Sequence, residues 1–394
     1  MYHRLFRIYT FQAPTRIVFG PNSLNKLLDE IKKFDTNSIL IVSGRNVCNT
    51  EGYKKIHDIL SSISKVYEFN DVIPEPNSSN LLDLAKKARE VKPSLIVGIG
   101  GGSSLDMAKI ASIVITNEKD PISYFKGEII QNKGPPIITI PTLFGTGSEI
   151  TPISVVVDNG KKLALYHSFL YPSLAIIDPI LSITAPPNAT ASAGIDALCH
   201  AIESIMSIDS NSITEPLAFE AIRLSDGYLE RVYCNGEDIE ARTAIAMASL
   251  LSGISFMNTG LCLPHGIAYT YAVNYNLPHG ISVAIPLPYV IEFNSIAIPD
   301  KISLIASAFN LDVTGLSVYE ISTYISSRLM EIMDNLNLPT NLSDIGIEEK
   351  NIEKMVDDLL KNYSRFINKN PRKPSREDLL NLYQQMFEGY SEVT

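Results

Sequence analysis

The chain predicts an α/β domain followed by an all-helical domain, and three observations carry that prediction. Short β-branched, apolar runs alternate with amphipathic segments through the first half of the sequence. After Ala185-Pro186-Pro187 the texture becomes Ala-, Leu- and Ile-rich with helical periodicity, and convincing strands stop. At 394 residues the chain is long enough to bury two cores. The expected domains are therefore 1–185 and 186–394.

Strands are expected at Ser38–Val42, Ser64–Tyr67, Leu95–Gly98, Ile137–Pro141, Ile153–Val157 and Leu174–Asp178. Several are almost wholly apolar, as strands covered on both faces of a parallel sheet must be. The segments between them, Leu24–Lys33, Tyr53–Ser61, Leu81–Val91 and Leu105–Ile115, place apolar residues at helical spacing. In the second half, helices are expected at Thr190–Met206, Thr214–Tyr233, Ile239–Phe256, Val318–Asn335, Ile352–Lys361 and Arg376–Tyr390. A polar, Pro-containing turn, Asn368–Arg376, precedes the last of them.

Composition narrows the partners. Hydrophobic residues at 45% and charged residues at 19% give an ordinary globular balance. A net charge of −10 argues against a nucleic-acid partner, because neutralising phosphates needs clustered Lys and Arg. No run approaches the ~20 apolar residues of a membrane span. The opening Met1-Tyr2-His3-Arg4-Leu5-Phe6 lacks a signal peptide's apolar region, and four scattered cysteines make no disulfide framework. The cytoplasm is the expected location.

Of only six histidines, three fall in suggestive settings. Asp196 and His200 are spaced to share one helix face, a turn apart. His265 and His279 each sit between a Pro that fixes φ and a Gly that permits unusual backbone angles. One carboxylate and three imidazoles suit Zn²⁺, Fe²⁺, Co²⁺ or Ni²⁺. Taken alone, the Asp–His pair also reads as a plain polar pair.

Two glycine-rich strand ends suggest an anion site. Gly100-Gly101-Gly102-Ser103 closes a strand and opens a helix, where backbone N–H groups and the helix dipole favour a phosphate. Ser103 is placed either to cap that helix or to bond a phosphate oxygen. Gly145-Thr146-Gly147-Ser148-Glu149 follows a second apolar strand. Together they suggest a crevice at the carboxyl edge of a sheet.

These segments resemble the iron-containing (group III) alcohol dehydrogenase family along essentially the whole length. The matching motifs are Gly100-Gly101-Gly102-Ser103-x-x-Asp106-x-Ala108-Lys109 and Pro141-Thr142-x-x-Gly145-Thr146-Gly147-Ser148-Glu149. They are followed by Gly194-x-Asp196-Ala197-Leu198-x-His200-x-x-Glu203, His265-Gly266 and Pro278-His279-Gly280. The resemblance implies a dehydroquinate synthase-like fold with a dinucleotide-binding α/β domain, a helical metal domain, and an active site in the cleft between them. It implies interconversion of an alcohol with an aldehyde or ketone, using a nicotinamide and a divalent metal, iron first, with zinc or nickel as alternatives. Asp196, His200, His265 and His279 become the expected metal ligands. Gly101, Gly102, Ser103 and Thr142 are expected at the phosphates, with Asp106, Thr151, Ile153, Lys162 and Leu181 lining the cofactor. Glu203 is expected to be a supporting carboxylate outside the ligand set. A homodimer is expected by analogy, with Tyr9–Phe19 pairing across its interface. Hydroxy-acid dehydrogenases, hydroxyacid–oxoacid transhydrogenases and a dehydroquinate synthase-like lyase are the competing readings.

Departures from the family pattern matter. Where many members carry a His four residues after the third ligand, this chain has Tyr269, a candidate for bonding the substrate or for packing. Leu143 and Phe144 replace small residues and are expected to narrow the cofactor site. The first Rossmann-like strand ends in Ser43-Gly44-Arg45, where NAD-preferring members commonly carry an Asp at the place of Gly44. Without that carboxylate, Ser43, Gly44 and Arg45 are expected to admit a 2′-phosphate, predicting NADP(H) over NAD(H).

Overall fold

In the computed structural model, which describes residues 8–390, a six-stranded parallel sheet organises the first part of the chain. Its strands are β1 (Arg16–Phe19), β2 (Ser38–Gly44), β3 (Lys65–Val72), β4 (Leu95–Gly100), β5 (Ile137–Pro141) and β8 (Leu174–Ile177), in the order β1-β8-β5-β4-β2-β3. Alternation along the strands decides what each face covers. Ile39, Ile41, Leu95, Val97 and Ile99 pack with Leu27, Ile31, Tyr53, Ile56 and Leu60, from the short α1 (Leu27–Ile31) and α2 (Glu51–Ser61). Leu40, Val42 and Ile96 point the other way, onto α3 (Ser78–Val91) and α4 (Gly102–Thr116). The short α5 (Pro121–Phe125) follows.

β2 lies one strand in from an edge of the sheet. Its successor β3 lies on one side, and β4, β5 and β8 follow on the other. The order therefore reverses between β2 and β4, the point where open α/β sheets bind ligands beyond the carboxyl ends. Gly44-Arg45 and Gly100-Gly101-Gly102 are the residues that emerge there.

The strand expected at Ile153–Val157 exists but belongs elsewhere. β6 (Ile153–Asp158) pairs antiparallel with β7 (Lys161–Tyr166), outside the main sheet. The turn is Asn159-Gly160 with φ of 49° and 74°, the hairpin dipeptide whose twist matches the strands it joins. β1 lies within the segment Tyr9–Phe19 expected to pair across a dimer interface, and here one of its edges pairs in parallel with β8 of the same chain, whereas β7 is not among the expected strands. The first has four residues, and the second begins with two lysines.

One buried cation ties these parts together. Lys109 on α4, fully enclosed, donates to Ser148 Oγ at 2.7 Å, the carbonyl of Ile153 at 2.6 Å and Asp106 Oδ1 at 3.2 Å. Asp106 Oδ2 in turn accepts the backbone N–H of Val155 at 2.9 Å. Burial pushes the Lys109 pKa down and the Asp106 pKa up, and their mutual attraction opposes both shifts.

The chain divides into two compact units, one of them Ala13–Ala185. The other comprises the described parts of Met1–Gln12 and Pro186–Thr394, so residues 8–12 group with the helices and not with the sheet. Gln12 and Asn258 exchange two hydrogen bonds, of 2.7 and 3.0 Å. The helical unit contains α6 (Pro187–Met206), α7 (Thr214–Cys234), α8 (Ile239–Thr259), α9 (Leu263–Tyr269), α10 (His279–Ala284), α11 (Leu287–Ser295), α12 (Pro299–Ala308), α13 (Val318–Asn335), α14 (Ile352–Asn362), α15 (Ser364–Lys369) and α16 (Arg376–Glu388). α6 is buried on nearly every side, against α7, α8 and α10. At Gly194 a side chain would stand 2.2 Å from Leu229 of α7, so the small residue sets that approach. Among the described residues, no single helix is long and apolar enough to cross a membrane.

Glu149 makes the α/β unit's stability sensitive to pH. Its Oε1 is buried without a hydrogen-bond partner, and burial raises the carboxyl pKa to about 7. An unfolded Glu ionises near ~4.3, so the folded state binds the extra proton between these values and loses stability as pH rises through them. Relative to Glu149→Gln, the wild type should therefore lose melting temperature between roughly pH 4 and pH 7. Thermal denaturation of both proteins across that range measures the gap, and a constant gap contradicts the argument.

Candidate functional site

The helical unit gathers four expected ligands from three helices. α6 supplies Asp196 and His200, α9 supplies His265 in its first turn, and α10 begins with His279. One candidate ligand atom from each lies within 4.8 Å of every other. Asp196 Oδ1 is 3.7 Å from His200 Nε2 and 4.0 Å from His279 Nε2. Donors at ~2.1 Å from a tetrahedral ion stand roughly 3.4 Å apart, so this set fits a first-row divalent ion after small side-chain movements. Asp196, His200 and His265 are at most 3% exposed. Phe256 of α8 stacks on the His200 ring with centroids 4.4 Å apart.

The two Pro-His-Gly glycines work differently from the sequence expectation. Neither Gly266 nor Gly280 has a positive φ; both are helical. What matters is the missing Cβ. At Gly280 it would lie 1.9 Å from the Ser192 carbonyl and 2.9 Å from Asp196 Cβ. At Gly266 it would meet Leu359 and Phe366 at 3.0 Å. The glycines let α10 press onto α6, and α9 onto α14 and α15.

Glu203 takes the supporting position expected of it, outside the four donors. Fully buried on α6, it lies 2.5 Å from Nδ1 of His265 through Oε1 and accepts the Cys262 backbone N–H at 2.8 Å through Oε2. The signal was its spacing, three residues after His200, which continues the Asp196–His200 face of the helix. Tyr269 ends α9 with its ring centroid 5.9 Å from His279 and 6.4 Å from His265. Tyr363 and Phe366 wall its other sides at 5.5 and 5.3 Å.

In the α/β unit the two glycine-rich loops meet. Thr142 N donates to the Gly100 carbonyl at 3.0 Å, and a Cβ at Gly102 would stand 2.8 Å from Thr146 Cγ2. Gly100 has φ of 142°, which L side chains rarely adopt. The N-cap of α4 is Gly101 and no side chain caps the helix, so Ser103 lies inside the first turn and is not its cap. Asp106 and Ile153 belong to the Lys109 knot, and Thr151 is buried beside it with its N–H on Gly147. Lys162 is buried on β7 and pairs with Glu75 at 2.9 Å. Glu75 itself holds a left-handed φ of 50° between Pro74 and Pro76, and nothing in the sequence marks it as Lys162's partner. Leu181 lies on the α1–α2 face, where a Cβ at Gly52 would meet its Cδ2 at 2.6 Å.

At the end of β2 the structure amends two expectations. Ser43 is fully buried and its hydroxyl bonds the Gly44 carbonyl at 3.3 Å, so it is not available to a phosphate. Arg45 is largely exposed and pairs with Asp71 at 2.7 Å. A Cβ at Gly44 would lie 3.1 Å from the Val72 carbonyl and 3.8 Å from Ser104 Oγ. Phe144 is turned into the core, leaving Leu143 as the residue against Gly101.

Comparison with known proteins is consistent across the chain. The family model for iron-containing alcohol dehydrogenase matches residues 14–179, and that for the C-terminal part of the Fe-containing alcohol dehydrogenase family matches 190–387. A 1,3-propanediol dehydrogenase of Klebsiella pneumoniae is 31% identical, covering 97% of this chain and 100% of the relative. A sulfoacetaldehyde reductase of Bilophila wadsworthia is 30% identical, covering 95% and 98%. The solved structure of an alcohol dehydrogenase from Oenococcus oeni superposes with a TM-score of 0.91 at 29% identity, covering 96% of this chain and 100% of that one.

The Gly280 contact gives a direct test of the geometry. Gly280→Ala should push α10 away from α6 and displace His279, lowering Co²⁺ affinity by about tenfold or more while the helical circular dichroism is kept. Unchanged Co²⁺ binding, measured by chelator competition, contradicts that reading.

Proposed function

Because the chain belongs to the iron-containing alcohol dehydrogenase family, we propose that Asp196, His200, His265 and His279 hold a divalent metal at which an alcohol and its aldehyde or ketone are interconverted. Membership makes the protein an oxidoreductase of alcohols and aldehydes and implies both a nicotinamide cofactor and a divalent metal. The single observation that carries the site assignment is the approach of the four donors to within 4.8 Å in a buried setting. Fe²⁺ is the expected ion, with Zn²⁺ or Ni²⁺ as alternatives. When bound, such an ion supplies Lewis acidity to the substrate oxygen, and the nicotinamide supplies the hydride chemistry.

The chain's own residues do the positioning. Asp196 brings the only negative charge among the four donors, and the three imidazoles hold the remaining positions without adding charge. Phe256 limits the freedom of the His200 ring. Tyr269, beside His265 and His279, is placed to donate its hydroxyl to the substrate oxygen or to a substrate carboxylate. In the α/β unit, the uncapped first turn of α4 offers the N–H groups of Gly102 and Ser103 to the phosphates, next to Gly101 and Thr142. Asp106, Thr151, Ile153, Lys162 and Leu181 are assigned to the cofactor's surroundings. Asp106 acts chiefly by fixing α4 to β6, since both its oxygens are already engaged.

NADP(H) is the proposed nicotinamide. Gly44 brings no carboxylate against a 2′-phosphate, and Arg45 is an exposed fork beside it. Arg45 has to leave Asp71, but an exposed pair is worth only about 0–1 kcal/mol, less than a doubly charged phosphate returns. The chain is also proposed to form a homodimer: β1 ends the sheet order, so among the described residues its outer edge pairs with no other strand of the sheet.

A steady-state screen of alcohols, aldehydes and hydroxy acids with both nicotinamides, on metal-stripped and Fe²⁺-, Zn²⁺- or Ni²⁺-loaded protein, tests the function. Turnover should require the metal and favour NADPH. A turnover confined to hydroxy acids selects the hydroxy-acid reading, and conversion of a sugar phosphate without net change in the nicotinamide selects the lyase. Arg45→Ala should lower kcat/KM with NADPH by about tenfold, equivalent to about 1.4 kcal/mol, and leave NADH unaffected. A wild-type enzyme with the higher kcat/KM for NADH contradicts the cofactor assignment. Tyr269→Phe should lower kcat/KM by about tenfold if its hydroxyl meets the substrate, and no change returns Tyr269 to packing.

A further inference from the structure

Glu203 is the buried carboxylate next to the four donors that the proposed chemistry leaves without a task. It is fully enclosed, and N–H groups converge on both its oxygens. Oε2 accepts from the Cys262 backbone at 2.8 Å, Oε1 lies 2.5 Å from Nδ1 of His265, and the backbone N–H of His265 also donates to the carboxylate. Cys262 is the N-cap of α9 and His265 its third residue. One carboxylate on α6 therefore holds both the turn that carries a proposed ligand and the ring itself.

We propose that Glu203 is the positioning residue for His265, fixing its imidazole with the proton on Nδ1 and so presenting Nε2 to the metal. This deepens the metal reading given above and rests on it. A neutral imidazole ligates through the nitrogen that bears no proton, and the hydrogen bond made by the other nitrogen decides which one that is. A metal at Nε2 takes that nitrogen's lone pair, which leaves the ring proton on Nδ1, and Oε1 of Glu203 at 2.5 Å is the acceptor that meets it. The same carboxylate tethers the backbone at Cys262 and His265, which removes the alternative of the ring turning over with its helix.

Glutamine is the informative replacement. Its side chain matches Glu203 in shape but keeps one accepting end and makes the other a donor. If the oxygen stays with Nδ1, the Cys262 N–H faces an amide N–H₂. If the amide is reversed, Nδ1 is forced to accept, the ring proton moves to Nε2, and the ring can no longer ligate through that atom. Either arrangement degrades the site through His265.

The test is Co²⁺ binding to metal-free protein by chelator competition, with the visible Co²⁺ spectrum recorded and no cofactor or substrate present. Four proteins are compared: wild type, Glu203→Gln, His265→Ala and the double variant. Glu203→Gln should weaken Co²⁺ binding by about 10–100-fold and alter the visible bands. Added to His265→Ala, it should change the affinity by less than about twofold, because its effect passes through the missing ring. Glu203→Asp keeps both accepting oxygens one carbon short and should fall between wild type and Gln, which preserves the test if the Gln variant folds poorly. An affinity for Glu203→Gln within about twofold of wild type overturns the inference, as does a full penalty that persists without His265. A wild-type protein that takes up no Co²⁺ overturns the metal reading itself.

Discussion

Helix backbones have to come almost into contact for one carboxylate and three imidazoles on three separate helices to gather within a few ångströms. The rest of the helical unit follows from that constraint. Gly280 lies where any Cβ would strike the Ser192 carbonyl at 1.9 Å. The central helix that results is buried on nearly all sides, so its polar residues have to be satisfied locally. Ser204 bonds Ser255 and Thr259, Ser207 bonds the Thr259 carbonyl, and Glu203 takes up the N–H groups at the start of α9. A buried polar seam of this kind is costly where its groups go unpaired, and the bonds it does make favour one packing arrangement for the donors.

The α/β unit solves a different problem, holding glycine-rich backbone still. Glycines give close approach and unusual φ angles, and they also give freedom that an anion site has to lose. The Lys109 ammonium removes that freedom by joining α4, the Ser148 turn and the first residue of β6. Thr142 adds a backbone bond between the two loops. The strand order places this fixed edge at the reversal between β2 and β4, where a ligand meets loops from both directions.

Much of this was legible in the sequence because the signals were long or repeated. Apolar runs located β2, β4 and β5, and spacing located α6 and its Asp196–His200 face. Elements too short to show a period were not legible: β1 with four residues, and the helices α9 to α12, of six to ten residues each. The β6–β7 hairpin carried its Asn159-Gly160 signal in plain sight, but the lysines that open β7 hid its second strand. Side-chain partners across the fold were beyond reach. Nothing in the sequence joins Lys162 to Glu75 or Arg45 to Asp71, and the burial of Ser43 depends on which face of β2 is covered. The role of the Pro-His-Gly glycines lies beyond the sequence for a related reason: backbone angles are a local property, whereas the contacts that a missing Cβ permits depend on which helix lies opposite.

The central claim is that these four side chains, and no others, form the first coordination sphere of a divalent ion. X-ray absorption spectroscopy of Co²⁺- or Fe²⁺-loaded wild-type protein measures that sphere directly. The account predicts an inner shell of nitrogen and oxygen at roughly 2.0–2.2 Å, with the outer-ring scattering of three imidazoles and no sulfur. Sulfur at about 2.3 Å, from Cys199 or Cys262, or a shell of water oxygens without imidazole scattering, would contradict it.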